Sequence, residues 1–178
     1  MAPSSGSPLV ICDAGPLIHL DELQCLDVLQ GFPSLLVPVS VADEVAQHRR
    51  IDFKTWRLSA VPDPEIDEVH AALARTYCLH KGETAALVLV RQTPQTALLL
   101  TDDAAARLAC LHMGLEAHGT LGLLLRSVRR GLRLADEMVG IIASIPERST
   151  LHIHQSLLDM AISEIKAFAR QGNNQAGL

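Results

Sequence analysis

The spacing of apolar and polar positions changes repeatedly along the chain, and each change marks an element boundary. LVIC at Leu9–Cys12, SLLVP, WRLSAV, ALLLT and LEAHG are short, strand-like runs, several of them apolar on consecutive positions. That pattern suits strands buried on both faces. Between them lie stretches with apolar residues three and four apart: PLIHLDEL, CLDVLQGF, SVADEVAQHR, PEIDEVHAALART, GETAALVLVRQ, DAAARLACLHMG and TLGLLLRSVRRG. Those read as helices, and LADEMVGIIASI and residues 155–170 add two more at the C-terminal end. The alternation predicts an α/β fold, a three-layer α/β/α sandwich with a central, mainly parallel sheet. One domain over residues 8–145 is expected, with 146–170 as a helical extension packed on it. Residues 1–7 and 171–178 are small and polar, and are expected to be flexible.

Composition narrows this picture. With 178 residues and 48% hydrophobic positions the chain can bury a sizeable core. Aromatic residues are only 3%, which argues against a base-stacking platform for nonspecific single-strand binding. A formal charge of -5 argues against a long electrostatic grip on nucleic acid, though not against a local basic patch. Cys12, Cys25, Cys78 and Cys110 form no C-x-x-C pair and read as reduced thiols, three of them in core-like segments. MAPSSGSP lacks a basic n-region, and no apolar run approaches the ~20 residues that span a bilayer. The chain is therefore expected to be soluble and cytoplasmic.

Acidic residues recur where strands end or helices begin: Asp13, Glu44, Glu83 and the Asp102-Asp103 pair. In an open parallel sheet, ligands bind beyond the carboxyl ends of the strands, and Asp13 and Asp102-Asp103 fall at that edge. Each has an ordinary alternative. Asp13 can cap a helix that Pro16 helps to open, and one acid of the pair can cap DAAARLAC. Asp103 also stands four residues before Arg107, a spacing for an ion pair. Ser40 and Asp43 resemble a capping box, whereas Glu44 falls beside the stripe of Val41, Val45 and His48. Glu83 opens a helix that is apolar on nearly every side, where a first-turn acid suits the dipole but an inward carboxylate needs neutralising. Carboxylates gathered at one point would raise one another's pKa values unless a cation lay among them, and a hard divalent ion is the natural candidate.

VICDAGPLIHL, VPVSVADEV, KGETAALVLV, LLLTDDAAARLA and HGTLGLLLRSVRRG, in this order, resemble the PIN-domain nucleases (named for the PilT N-terminus). That family includes VapC-like toxins and related uncharacterised prokaryotic proteins, and the likeness spans roughly residues 9–133. It implies Mg²⁺- or Mn²⁺-dependent hydrolysis of RNA with one or two ions. Such enzymes often act as toxins restrained by a small antitoxin, and homodimers are common. By position, Asp13, Glu44, Glu83 and Asp103 take the four acidic places, with Asp102 as alternative or helper for the fourth. Asp13, Glu83 and Asp103 are the expected direct ligands, and Glu44 would act through water or orient the nucleophile. Gly15 stands where many members carry Ser or Thr, so that contact is either absent, supplied by water, or made by Thr101 or Thr120 instead. Thr101, Arg107 and Thr120 are the candidate substrate contacts, although Thr120 also reads as a helix N-cap.

Other cations and histidines receive no role from sequence. Arg126, Arg129, Arg130 and Arg133, and Arg49, Arg50, Lys54 and Arg57, read mostly as solvated surface. His152 and His154 are placed on one face of a strand, without zinc-site spacing. Asp13-Ala-Gly lacks the D-x-D of haloacid-dehalogenase-like phosphatases, and the acid pair comes too late for a receiver domain. The alternative to a nuclease is a weak or inactive PIN-like binding module.

Overall fold

The structure, a computed structural model, describes residues 9–93 and 97–175. The expected loose segment 1–7 and residues 176–178 lie outside the described residues. Five short strands form one all-parallel sheet: β1 (Leu9–Cys12), β2 (Leu35–Pro38), β3 (Leu58–Val61), β4 (Ala97–Leu100) and β5 (Glu116–His118). Their order is β3-β2-β1-β4-β5. The chain runs outward from β1 to β3, then crosses back to β4 beside β1. The sheet therefore reverses direction between β1 and β4, which is where open α/β sheets hold their ligands.

The central strands are wholly apolar, as suits strands covered on both faces. Val10, Ile11, Cys12, Leu99 and Leu100 are all fully buried. The register pairs Cys12 with Leu100, and Asp13 N donates to Leu100 O at 2.9 Å. Asp13 and Thr101 thus leave adjacent strands side by side.

Helices follow almost every strand: α1 (Ala14–Glu22), α2 (Val39–His48), α3 (Glu68–Tyr77), α4 (Lys81–Gln92) and α5 (Ala104–His112). The remainder are α6 (Thr120–Arg129), α7 (Ala135–Ala143), α8 (Ile145–Arg148) and α9 (Gln155–Gln175). Helices α3, α4 and α5 contact one another, and α4 lies on β1, β2 and β4. Across the sheet, α1 meets α6, which meets α7 and α9. In α9 the buried Leu158, Ala161 and Ile165 recur at helical spacing and join the same core as Met138 and Ile142 of α7. Among the described residues no helix is long and apolar enough to cross a membrane.

Several local expectations change. CLDVLQGF forms a 3-10 helix, Leu26–Gly31, entered from a left-handed Gln24. Helix α2 starts at Val39 with Pro38 as N-cap, and Ser40 bonds through its N and Oγ to Asp63 Oδ1 at 3.0 and 2.9 Å. No Ser40–Asp43 capping box forms, because Asp63 has taken the serine. His152 and His154 lie in an irregular link between α8 and α9 rather than on a strand. Helix α9 continues to Gln175, past the point where a loose tail was expected.

Candidate active site

Asp13 ends β1 and caps α1. Its Oδ1 accepts from Ala14 N at 2.8 Å, and its Oδ2 accepts from the Thr101 hydroxyl at 2.8 Å. Only 5% of the residue is exposed. Burial pushes its carboxyl from the usual 3.8 up to about 6; the Thr101 and Ala14 bonds oppose the rise, while the charges of Glu83 and Glu44 add to it. Carboxylates from β1, α2 and α4, seventy residues apart, therefore act on one another across the sheet edge.

Glu83 comes from the first turn of α4 and is 18% exposed. Its Oε2 accepts from His80 N at 2.7 Å and Oε1 lies 3.4 Å from His80 Nδ1. Glu44 is on the exposed side of α2, but its carboxylate leans on α4. A Cβ at Gly82 would stand 3.0 Å from Glu44 Oε2 and 3.2 Å from Val41 Cγ2. Glycine at 82 is what lets α2 and α4 close, with the Glu44 carboxylate against the first turn of α4.

The acid pair after β4 splits into two roles. Asp103 is the N-cap of α5, its Oδ1 accepting from Ala106 N at 2.6 Å. No bond to its Oδ2 occurs among the described residues. The expected Asp103–Arg107 ion pair does not form among them either; Asp103 is engaged with the helix start instead. Asp102 turns the other way. Its Oδ1 accepts from Thr120 N at 2.7 Å, and its Oδ2 accepts from the Thr120 hydroxyl at 2.5 Å and from His19 Nδ1 at 2.8 Å. Three bonds occupy Asp102, which joins α1, β4 and α6.

Both threonines are buried and bonded to the acids. Thr101 is fully buried, donating to Asp13 while accepting from Asp103 N at 3.2 Å. Thr120 is also fully buried and committed to Asp102, and the N-cap of α6 is Gly119 rather than Thr120. A Cβ on Gly15 would make only ordinary contacts, 3.5 Å from Asp102 Cβ and 3.7 Å from His19 Cε1. Arg107 is exposed beside this edge. His19 and Gly119 escaped sequence reasoning; their partner Asp102 is 83 and 17 residues away, and no local spacing signals it.

Several of the other arginines serve the fold. Arg126 lies 4.0 Å over the Phe32 ring, and Arg129 pairs with Glu164. Arg133 grips Asp27, and Arg49 bonds Glu22 at 2.8 Å.

Asp13, Glu44 and Glu83 offer only hard oxygen donors, and the buried Asp13 carries an excess of neighbouring negative charge. That chemistry fits a divalent cation of the Mg²⁺ type, which keeps several of its waters. It does not fit a closed cage, because among the described residues no three His, Cys, Asp or Glu side chains are arranged to hold a metal ion by themselves. Asp13 thus has Glu83 and Glu44 as acidic neighbours, while Asp103 and Asp102 are bonded to the starts of α5 and α6.

A family model described as a PIN domain (DUF3368) matches residues 9–167. PIN domains are in general nucleases that act on nucleic acid with divalent metal ions. No curated protein matches the chain.

Proposed function

Because the chain belongs to the DUF3368 PIN-domain family, we propose that it is a Mg²⁺- or Mn²⁺-dependent endoribonuclease working at the β1/β4 edge. The single observation that carries this reading is Asp13: a buried carboxyl raised to about 6 with two further carboxylates acting on it. Burial is the chief cause of that rise and the Thr101 and Ala14 bonds oppose it, but the charged side chains that add to it, Glu83 and Glu44, are themselves acids.

Asp13 and Glu83, with the spare Oδ2 of Asp103, would hold the ion, and Glu44 would orient water from the side of α2. A divalent ion held there would supply a water of lowered pKa and positive charge for the departing 3′-oxygen, the chemistry that would leave a 5′-phosphate product. Thr101 fixes the rotamer of Asp13 and, through Asp103 N, ties the acids of β1 and β4 together. Asp102 and His19 act as positioning residues that hold α1 and α6 at this edge.

Labelled single-stranded RNA given to the purified protein with Mg²⁺, Mn²⁺ or EDTA tests this. Cleavage should require metal and disappear in Asp13→Asn and Glu83→Gln; cleavage unchanged in both variants rules the site out. A second reading, a weak or inactive binding module, draws on the open arrangement of the acids. It predicts RNA binding without metal-dependent cleavage in the folded wild type. A toxin role would appear as growth arrest on expression, relieved by a small co-expressed partner.

A further inference from the structure

Beside the acids, between α5, β5, α6 and the link that precedes α9, lies a cleft of about 410 Å³ with Asp102 in its wall. That volume falls within the ~300–1,000 Å³ typical of small-ligand pockets. Its lining is of two kinds. Leu125 and Leu157 supply apolar surface, while Arg107, His118, His152 and His154 bring one guanidinium and three imidazoles. All four of those polar residues are exposed.

We propose that this cleft receives an unstacked nucleotide of the single-stranded substrate, with Arg107 on its phosphate and the imidazoles and leucines against its base. The inference rests on the nuclease reading for the identity of the substrate. Three observations favour it. Arg107 lines the cleft and makes no ion pair among the described residues, as is also true of Arg50, Arg57, Arg91 and Arg130, none of which lines it. In a chain of formal charge -5, an uncommitted guanidinium at the mouth of a cleft is a local anion site. The histidines form no metal-holding set among the described residues, but flat imidazole rings stack on splayed bases, the usual way single-stranded RNA is gripped. His154 is also held in place, its Nδ1 bonding Ser156 Oγ at 2.8 Å, and His118 Nε2 lies 3.2 Å from Glu116 Oε1. Finally, the cleft and the acids share a wall: Asp102 lines it, and the preceding Thr101 holds Asp13. A strand leaving the acids across Gly119 would enter it directly. The 3% of Phe, Trp and Tyr had argued against stacking, yet histidines can provide it.

The test uses the full chain carrying Asp13→Asn, so that no probe is cut. A fluorescent eight-nucleotide single-stranded RNA is titrated against this protein and against the same protein with Arg107→Ala, His152→Ala and His154→Ala added. The dissociation constant should rise at least tenfold while the melting temperature stays put, and 4-thiouridine in the probe should crosslink to the 151–157 segment. Binding within twofold of the parent, crosslinks confined elsewhere, or a glutamate-rich peptide binding more tightly than RNA would each overturn the proposal. Failure of the nuclease reading looks different: the wild type then fails to cleave RNA with metal, whether or not the cleft binds it.

Discussion

The Thr101 hydroxyl donates to Asp13 Oδ2 at 2.8 Å, across 88 positions of sequence. The bond holds together the ends of β1 and β4 at the one place where the sheet reverses direction, and it shapes the acid on which the proposed chemistry depends. Thr101→Val would leave a buried carboxylate oxygen unsatisfied and remove the acceptor for Asp103 N. A loss of about 1–3 kcal/mol in urea unfolding is expected, with Thr101→Ser near wild type. Equal stability of the valine and serine variants would show that the hydroxyl matters little.

Asp13 should make the metal-free protein less stable as pH rises. Its folded value, about 6, exceeds the ordinary 3.8, so the folded state binds more protons between those values. Stability therefore falls as pH climbs from about 4 to 6 and stays lower above. The full effect is about 3 kcal/mol as an upper figure. Asp13→Asn, less one weakened hydrogen bond, should raise Tm by several degrees at pH 7.5, at roughly 2–4 °C per kcal/mol for this size. The gain should vanish near pH 4. A Tm that drops at pH 7.5 would mean the charged form is favoured by the fold.

Glu22 should behave in the opposite sense. Burial raises its carboxyl, but bonds from Arg49, Thr150 N, Ser149 and the Thr150 hydroxyl overcome this and set it at about 2, below the usual 4.5. Its contribution is present above 4.5 and lost as pH falls towards 2. Glu22→Gln should cost about 2 kcal/mol at pH 7 and little at pH 2.5, and it should loosen the link between α8 and α9 in hydrogen exchange. A pH-independent cost would contradict the assignment.

The two acids after β4 should separate on mutation. Asp103→Ala loses a helix cap, about 1 kcal/mol, and with it RNA cleavage. Asp102→Ala breaks contacts to His19 and Thr120 and should cost more stability than Asp103→Ala. Gly119→Ala should mimic it, because the added Cβ would stand 2.6 Å from Asp102 Oδ1, at about 1–3 kcal/mol. If Asp102→Ala is the milder change in a thermal melt, the division of roles is wrong.

How far the sequence reveals this molecule depends on the range of each signal. The strands were legible because LVIC and ALLL are apolar throughout, and Asp13 and Asp103 because capping is a local event. PIN membership was legible because the spaced motifs follow in order. The partners of Asp102 were not, since His19 and Thr120 meet it only through tertiary packing. The Ser40 cap failed for the same reason, Asp63 being 23 residues distant. His152 and His154 alternate as in a strand, but among the described residues no strand pairs with them. A sequence can place a carboxylate at a strand end, but not decide whether a helix start will consume it, as it does with Asp103.

Mn²⁺ titration followed by electron paramagnetic resonance examines the Asp13–Glu44–Glu83 grouping most directly, because it needs no substrate. Wild type should take up the ion, and the signal of free Mn²⁺ should return to that of buffer alone when Asp13→Asn and Glu83→Gln are combined. Undiminished uptake by the folded double variant, or none by the wild type, would contradict the account.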